Sequence, residues 1–334
     1  MRLANALERG LDRLQLRRAP GRPQQIHLSV TDRCFLPCLH CDIWKNEATD
    51  LPGAVWEDVI DRLAVWCAPA GMNFVGGEPL LRKDLESLMH RASRQGFTVS
   101  FNTNGWLMTE KRAASIAQAG ADIAYVSLDG FEEETVDHSR GRQGSYQKAR
   151  DAIEYLCAQR GPRVVIASVL HAGNAREMAP LLAWVQARGL QLVVQPLYQN
   201  FGDNKYDPDW WKTSPLWPHS PADLTAIHDT LDWLTAQRMR GGPICNEATQ
   251  LQAMKFHFQS PDKDSGVSCR AGHSDLSFDP QGRVRLCYFL EPVGTVFDAM
   301  PLPMMWESLT TLRRRHAVSR CERHCNLLNC NFGT

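Results

Sequence analysis

The chain has 334 residues, enough for one large barrel-like domain or two ordinary domains. Lys plus Arg and Asp plus Glu both number 37, so no net charge would attract nucleic acid. No apolar run approaches the roughly 18 residues of a membrane span, and residues 1–20 lack the apolar core of a signal peptide. We therefore expect a cytoplasmic protein that binds neither nucleic acid nor membrane. In that reducing compartment, the 11 cysteines indicate metal binding more than disulfides.

Six short apolar or β-branched runs predict β-strands, and segments of helical periodicity separate them. The runs are 26–30, 72–75, 97–101, 122–127, 164–170 and 190–195. Strand and helix in alternation predict an α/β fold with a parallel sheet. Six units are too few to close an eight-stranded barrel, but they can form an open, curved sheet with helices outside. Ligands of such folds bind at the carboxyl ends of the strands.

Three cysteines within eight residues, Cys34, Cys38 and Cys41, follow the first strand directly. Cysteine thiolates are the usual protein ligands of iron–sulfur clusters, and a cubane needs four of them. Three cysteines would leave one iron open to water or to a bidentate small molecule. The alternative is a zinc knuckle, although structural zinc sites usually combine two paired half-sites.

Polar or glycine-rich clusters follow the next three strands, at 76–79 (GGEP), 102–105 (NTNG) and 129–130 (DG). Glycine lacks a Cβ, so the backbone can approach a ligand closely there. Asn and Asp also occupy turns for their geometry alone. The carboxyl ends of parallel strands lie at one edge of the sheet. These clusters should therefore line one opening together with His171 and Gln195, which end the fifth and sixth strands. Either side chain could equally cap its strand end, with its hydrogen bonds made within the protein.

The character of the chain changes after the sixth strand. Residues 198–221 hold Trp210, Trp211 and Trp217, and this aromatic density predicts either a substrate-facing lid or a packed interdomain seam. Ser220-Pro221 then predicts the start of a helix. Further along, residues 276–286 alternate as two strands around a Pro-Gln-Gly turn, a hairpin that brings two cysteines together.

These motifs resemble the radical S-adenosylmethionine (SAM) enzymes. The resemblance rests on CxxxCxHC at 34–41, GGEP at 76–79, NTNG at 102–105 and SLDG at 127–130, and it covers roughly residues 24–195. It implies a partial (β/α)6 TIM-like barrel with a 4Fe–4S cluster on the cysteine triplet. It also implies that SAM occupies the open iron and is reductively cleaved to a 5′-deoxyadenosyl radical that abstracts hydrogen.

The resemblance also implies which residues surround SAM. The peptide groups of Gly76 and Gly77 could hold its ammonium, with Glu78 fixing the loop. His40 occupies the position of an adenine contact, with a plain surface histidine as the alternative. The remaining candidates for cofactor contacts are Asn102, Asn104, Ser127, Asp129, His171 and Gln195.

The later cysteines resemble the SPASM or shorter twitch domain of some of these enzymes, a small α+β iron–sulfur unit. Its CX9-15GX4C hairpin matches Cys269 to Cys287, with Gly282 between them. We expect one auxiliary 4Fe–4S cluster on Cys269, Cys287, Cys321 and either Cys325 or Cys330, with Cys245 as a further possibility. Zinc with His324 as a ligand is the alternative. The predicted units are a helical extension at 1–23, the barrel at 24–240 and the auxiliary-cluster domain at 241–334.

The resemblance implies an enzyme that oxidises, cross-links or rearranges a substrate, with a one-electron reductant such as flavodoxin or ferredoxin as its partner. Peptide maturases among these enzymes often carry an amino-terminal domain that recognises a leader peptide, whereas about 25 residues precede the first strand here, which favours a small molecule or a short peptide as substrate. Two alternatives stay open. One is transfer of a SAM-derived methyl or 3-amino-3-carboxypropyl group, and the other is a non-catalytic metal-binding interaction protein.

Overall fold

The computed structural model describes residues 21–47, 49–201 and 205–332. The helical extension predicted at 1–23 therefore lies almost wholly outside the described residues. No helix of the described part is long and apolar enough to cross a membrane.

All six predicted strands are confirmed, with ends within two residues of the prediction. The strands are β1 Gln25–Thr31, β2 Gly71–Gly76, β3 Thr98–Thr103, β4 Ile123–Ser127, β5 Arg163–Leu170, β6 Gln191–Pro196, β7 Asp275–Phe278, β8 Arg283–Arg285 and β9 Gly294–Thr295. They form one sheet in the order β6-β5-β4-β3-β2-β1-β7-β8-β9. Strands β1 to β6 are parallel, as the alternation of strand and helix predicts.

Helices separate the parallel strands, and more follow the sixth. The helices are α1 Gly53–Cys67, α2 Leu85–Arg94, α3 Glu110–Gln118, α4 Glu133–Arg140, α5 Ser145–Cys157, α6 Met178–Ala187, α7 Trp210–Thr213, α8 Pro221–Met239, α9 Ala248–Gln259, α10 Leu302–Trp306 and α11 Leu309–Ser319. Helix α8 begins where the sequence predicts it, because the Ser220 hydroxyl accepts a hydrogen bond from the Asp223 backbone N–H at 3.1 Å and Pro221 occupies the first helical position.

The two faces of the parallel sheet differ in chemistry. Along β1, Ile26 and Leu28 are fully buried in the hydrophobic core, which also contains side chains of α1. Each such burial stabilises the fold by about 1.5 to 3 kcal/mol. The alternate residues, His27 and Ser29, line a cavity on the opposite face, because successive strand side chains point to opposite sides. The same alternation places Asn73 of β2 at the cavity wall. Small and polar residues on this face leave the barrel interior open.

The C-terminal part continues the barrel sheet. Strand β7 pairs in parallel with β1, and β8 and β9 follow it as antiparallel neighbours. The predicted hairpin is therefore confirmed, joined to the barrel by main-chain hydrogen bonds. The boundary predicted at residue 240 remains a prediction.

The tryptophans of segment 198–221 pack against the helices that follow them. Trp217 is buried and lies 5.1 Å from Trp210 and 5.2 Å from Phe258 of α9, between ring centroids. Trp211 contacts Trp217 in turn, at 6.0 Å. None of the three tryptophans lines the cavity. The tryptophans therefore pack as a seam, whereas Phe201, Tyr206, Pro208 and Asp209 of the same segment line the cavity, so the lid interpretation stays a prediction.

Helical periodicity places two cysteines outside the motifs, Cys67 and Cys157, on apolar helix faces and so predicts both in the core. Cys67 is fully buried in α1. Cys157 is exposed at the end of α5, so that expectation is wrong. The last turn of α5 turns this position towards solvent.

Candidate cluster and cofactor site

The loop of residues 32–41, here called the cluster loop, is attached to its surroundings by backbone groups. Gly77 N–H donates to the Thr31 carbonyl at 2.8 Å, and Glu78 N–H donates to the Arg33 carbonyl at 2.9 Å. Gly76 adopts a φ of 132°, and a Cβ there would overlap the Thr31 carbonyl oxygen. The glycines of GGEP are thus required for close contact with the end of β1, a reason additional to ligand approach.

The other side of the cluster loop rests on α4. Leu39 N–H donates to the Ser139 carbonyl at 2.9 Å. Gly141, directly after α4, has a φ of 69° and lies so close to Pro37 that a Cβ would collide with the Pro37 carbonyl oxygen. The three candidate cluster cysteines are therefore held between a strand end and a helix end.

Glu78 joins the cluster loop region to the loop after β3. Its side chain is fully buried and accepts hydrogen bonds from the Leu80 N–H at 3.1 Å, the Thr103 hydroxyl at 2.9 Å and the Asn104 N–H at 2.7 Å. Burial raises the pKa of Glu78 to about 7. Both carboxylate oxygens are engaged, so Glu78 positions the two loops.

The groups around the cysteine triplet can hold an iron–sulfur cluster and bind a second ligand beside it. Burial raises the pKa of the Cys41 thiol to about 12, so binding to iron would release its proton. Asn104 Nδ2 lies 3.9 Å from Cys34 Sγ. Asn102 Oδ1 is buried without a hydrogen-bond partner among the described residues and lines the cavity. An unsatisfied acceptor at this edge is suited to a donor from a bound cofactor.

Asp129 forms a buried ion pair with Arg140, at 2.7 Å between Oδ2 and Nε. Asp129 Oδ1 also accepts a hydrogen bond from Val169 N–H at 2.9 Å. Burial opposes ionisation of Asp129, but Arg140 and the other groups nearby hold its pKa below the ordinary value. Arg140 also interacts with the Cys38 thiol. No sequence signal marked Arg140, because its role depends on where α4 ends in the folded chain.

Two histidines lie near this ion pair. Burial lowers the pKa of His40 and of His171 to about 4, so both are neutral at pH 7. His171 Nδ1 accepts a hydrogen bond from Gly173 N–H at 3.1 Å, which makes the residue partly a satisfied cap. His40 Nδ1 and His171 Nε2 are both buried without a partner among the described residues, so each retains a group for a ligand.

One cavity of about 1150 Å³ fills the inside of the sheet. Among the predicted cofactor residues, Gly76, Asn102 and Gln195 line it. Asp32 of the cluster loop also reaches it. The lining does not include Gly77, Glu78, Asn104, Asp129, His40 or His171. Ser127, at the end of β4, also lies outside it and carries no side-chain hydrogen bond that would assign it a role.

The far wall of the same cavity holds cysteines from the C-terminal part of the chain. The C-terminal cysteine group consists of Cys269, Cys287, Cys321, Cys325 and Cys330, and all five line the cavity. Burial, followed by the neighbouring thiols Cys287, Cys321 and Cys330, raises the pKa of Cys269 to about 12. Cys245 lines the cavity at the start of β6, where its N–H donates to the Leu192 carbonyl.

The zinc alternative required His324 as a ligand. His324 is buried, its Nδ1 lies 2.8 Å from His257 Nδ1, and its Nε2 contacts the Lys263 carbonyl. Both ring nitrogens are therefore engaged. Within the described ranges, no three His, Cys, Asp or Glu side chains converge as they would around a single ion. A four-iron cluster is a larger body, and its cysteine ligands surround it instead of one atom.

A family model, the Radical SAM superfamily, matches residues 28–185. Residues 28–185 are therefore a radical SAM domain, and this family implies SAM and a 4Fe–4S cluster as its cofactors. The matched residues contain all four motifs that carried the resemblance, from the cysteine triplet to SLDG.

Curated relatives match different portions of this radical SAM chain. It is 33% identical to the Fe-coproporphyrin III synthase of Methanosarcina barkeri over 45% of this chain and 38% of that protein. It is 28% identical to the PqqA peptide cyclase of Bradyrhizobium diazoefficiens over 48% of this chain and 43% of that protein. The mycofactocin maturase MftC of Mycolicibacterium smegmatis is 27% identical over 86% of this chain and 68% of the maturase. The chain thus spans less than half the length of the synthase and the cyclase.

Solved structures share the fold of this radical SAM chain. SuiB of Streptococcus suis bound to S-adenosylmethionine has a TM-score of 0.70 at 14% identity, covering 94% of this chain and 72% of SuiB. SuiB bound to its precursor peptide SuiA gives a TM-score of 0.69 at 13% identity, covering 94% and 71%. The predicted partial barrel with a small C-terminal α+β part is confirmed.

Proposed function

We propose that this protein is an enzyme that cleaves SAM reductively and uses the resulting radical on a substrate held in the barrel cavity. The observation that carries the proposal is a cavity of about 1150 Å³. Its lining includes Gly76 and Asn102, which lie beside the cluster loop, and also the C-terminal cysteine group, which in this proposal holds an auxiliary 4Fe–4S cluster. One substrate could therefore contact both cofactor sites.

In this proposal, Cys34, Cys38 and Cys41 hold the 4Fe–4S cluster, which supplies the electron for cleavage of SAM when it is bound. The residues around these cysteines bind SAM and orient it. Asn102 Oδ1 accepts a hydrogen bond from SAM, because it is otherwise unsatisfied. Glu78 keeps the GGEP and NTNG loops in register, since its carboxylate accepts from both.

The other predicted contacts divide by their position. Gln195 and the peptide groups of Gly76 face the cavity and bind SAM or substrate. Asp129 positions Cys38 through Arg140, because the ion pair is buried and its guanidinium interacts with the thiol. His40 and His171, both neutral at pH 7, offer uncharged ring nitrogens beside this pair.

The substrate in this proposal is a peptide or a small molecule. The names of the PqqA peptide cyclase and of SuiB bound to its precursor peptide support a peptide, whereas the coproporphyrin synthase indicates that small molecules are also used in this superfamily. A cytoplasmic location fits 11 cysteines that all remain free. Since cleavage of SAM is reductive, a one-electron donor such as flavodoxin or ferredoxin is required.

The experiment is anaerobic purification followed by incubation with SAM and dithionite. We expect a brown protein that releases methionine and 5′-deoxyadenosine. The matched control is the Cys34→Ala, Cys38→Ala, Cys41→Ala triple variant, in which about four irons and all cleavage should be lost. Cleavage that persists in the triple variant, or a colourless zinc protein, would contradict the proposal.

A further inference from the structure

The C-terminal cysteine group contains five cysteines that line the cavity, but a cubane cluster takes four thiolates. The sequence leaves Cys325 and Cys330 as alternatives for the fourth position. The two residues occupy different surroundings, and the difference indicates which one faces the cluster.

Cys325 is held rigidly in a buried position. It is 6% exposed and packs with Tyr198 and Leu328, with Phe289 against the same cluster of side chains. Its carbonyl accepts hydrogen bonds from Leu328 N–H at 3.2 Å and from Asn331 Nδ2 at 3.0 Å. Because Phe289 follows Cys287 by two residues, this packing brings Cys325 close to the hairpin ligands.

The Tyr198 hydroxyl provides an independent indication. Tyr198 follows β6, is 6% exposed, and its Oη is buried without a hydrogen-bond partner of standard geometry among the described residues. The side chain within reach of this hydroxyl is Cys325. A buried hydroxyl without a hydrogen-bond partner destabilises the fold. A thiolate on iron is a better acceptor than a neutral thiol, so ligation by Cys325 would satisfy this group.

Cys330 lies in a different environment. Its neighbour Asn331 is fixed by a backbone hydrogen bond from Arg270 N–H at 2.8 Å, and Phe332 forms an isolated bridge with Cys269. Cys330 is exposed and lines the cavity, whereas Cys325 is buried in the apolar cluster with Tyr198 and Leu328.

We propose that Cys269, Cys287, Cys321 and Cys325 are the four ligands of the auxiliary cluster, that Tyr198 donates a hydrogen bond to the Cys325 sulfur, and that Cys330 is not a ligand. This inference rests on the proposed function for the presence of the cluster. Four protein ligands leave no open iron, so the cluster transfers electrons and does not anchor substrate. Hydrogen bonds to the sulfurs raise the reduction potential of such a cluster.

The first test compares single variants of the full chain, reconstituted anaerobically, by iron analysis and EPR of the reduced protein. The wild type should hold about eight irons and give two cluster signals. Cys325→Ala should lose the second signal, whereas Cys330→Ala and the cavity-lining control Cys245→Ala should keep it. Loss of that signal in Cys330→Ala, or its survival in Cys325→Ala, would overturn the assignment.

The second test measures the reduction potential of the auxiliary cluster by EPR-monitored titration. Tyr198→Phe removes only the hydroxyl, so the potential should become more negative with the iron content unchanged. Tyr125→Phe is the matched control, because Tyr125 lines the same cavity from β4. An unchanged potential in Tyr198→Phe would overturn the role of the hydroxyl. A wild type with only about four irons would instead count against the auxiliary cluster of the proposed function.

Discussion

The cluster loop and the C-terminal cysteine group are positioned by different means. The cluster loop places three cysteines within eight residues, and backbone hydrogen bonds from Gly77, Glu78 and Leu39 fix it at a strand end. The C-terminal cysteines come from three segments, namely the residues before β7, the residues after β8 and the stretch 321–330. Long-range contacts bring these segments together around the cavity, namely the β7–β8 pairing, the hydrogen bond from Arg270 N–H to the Asn331 carbonyl, and side-chain packing.

This difference determines how each site responds to substitution. A site fixed by local backbone contacts depends on the few buried polar groups that support its loop. A site assembled from distant segments also depends on the apolar packing that joins them, because β7 is the one named strand of the C-terminal part that pairs with a barrel strand among the described residues. Substitutions can therefore be chosen to damage one site and spare the other.

The largest effect should come from Arg140→Met. Removal of the guanidinium leaves the Asp129 carboxylate buried and unpaired, and breaking such a pair costs about 3 to 5 kcal/mol. Urea unfolding should show this loss of stability, and iron analysis should show loss of the first cluster ahead of the second. The control Arg188→Met removes an exposed pair with Glu154 and should change stability by less than about 1 kcal/mol. If both variants lose equal stability and equal iron, the difference between the two sites is contradicted.

The seam is tested by Trp217→Ala, with an expected destabilisation of about 3 kcal/mol from the cavity that it creates. Trp217 is 4% exposed and contacts Trp210, Trp211, His257 and Phe258. Because these contacts join segment 198–221 to α9, the auxiliary-cluster EPR signal should weaken while SAM cleavage at the first cluster persists. The control is Met239→Ala, at a residue 78% exposed at the end of α8. Loss of cleavage with intact stability would instead support the lid interpretation.

The sequence predicted the cluster loop more fully than the C-terminal group, for a physical reason. Strand periodicity and the compact motifs at 34–41 and 76–79 are local signals, so the strands and the triplet could be placed. Arg140 and Tyr198 carry no local signal. Each acquires its role only when the end of α4 or of β6 meets a cysteine from elsewhere in the chain.

The sequence could not decide between Cys325 and Cys330 for the same reason. Both lie at spacings that would allow ligation, and only the packing of Tyr198 and Phe289 against Cys325 separates them. Cys157 illustrates the converse error, because helical periodicity predicted burial for a residue that the last turn of α5 exposes.

A pH-dependent effect of intermediate size should arise from His171. Burial depresses its pKa from 6.5 to about 4, so the unfolded chain binds the proton more tightly. Its contribution to stability is complete above pH 6.5 and is lost as the pH falls from 6.5 towards 4. Between pH 7.5 and pH 5 this loss should be about 2 kcal/mol. In His171→Gln the free energy of unfolding should fall less over that range, whereas the exposed control His90→Gln should match the wild type. If the free energy of unfolding falls equally with pH in all three proteins, the expectation is wrong.

The smallest effect should come from Glu78→Gln, which tests whether the two loops beside the cluster loop are coupled. An amide nitrogen replaces one carboxylate oxygen, so the Thr103 hydroxyl and the Leu80 N–H, or the Asn104 N–H, lose an acceptor. One unsatisfied buried donor costs about 1 to 2 kcal/mol. Since the displaced loop carries Asn102 and Asn104, SAM should also bind more weakly, as equilibrium dialysis of the reconstituted protein would show, while the auxiliary-cluster signal stays unchanged. The matched control is Glu86→Gln, whose carboxylate accepts a hydrogen bond from Arg112 at 2.8 Å in a half-buried position. If both variants bind SAM with wild-type affinity, Glu78 contributes to stability alone and the proposed coupling of the GGEP and NTNG loops is wrong.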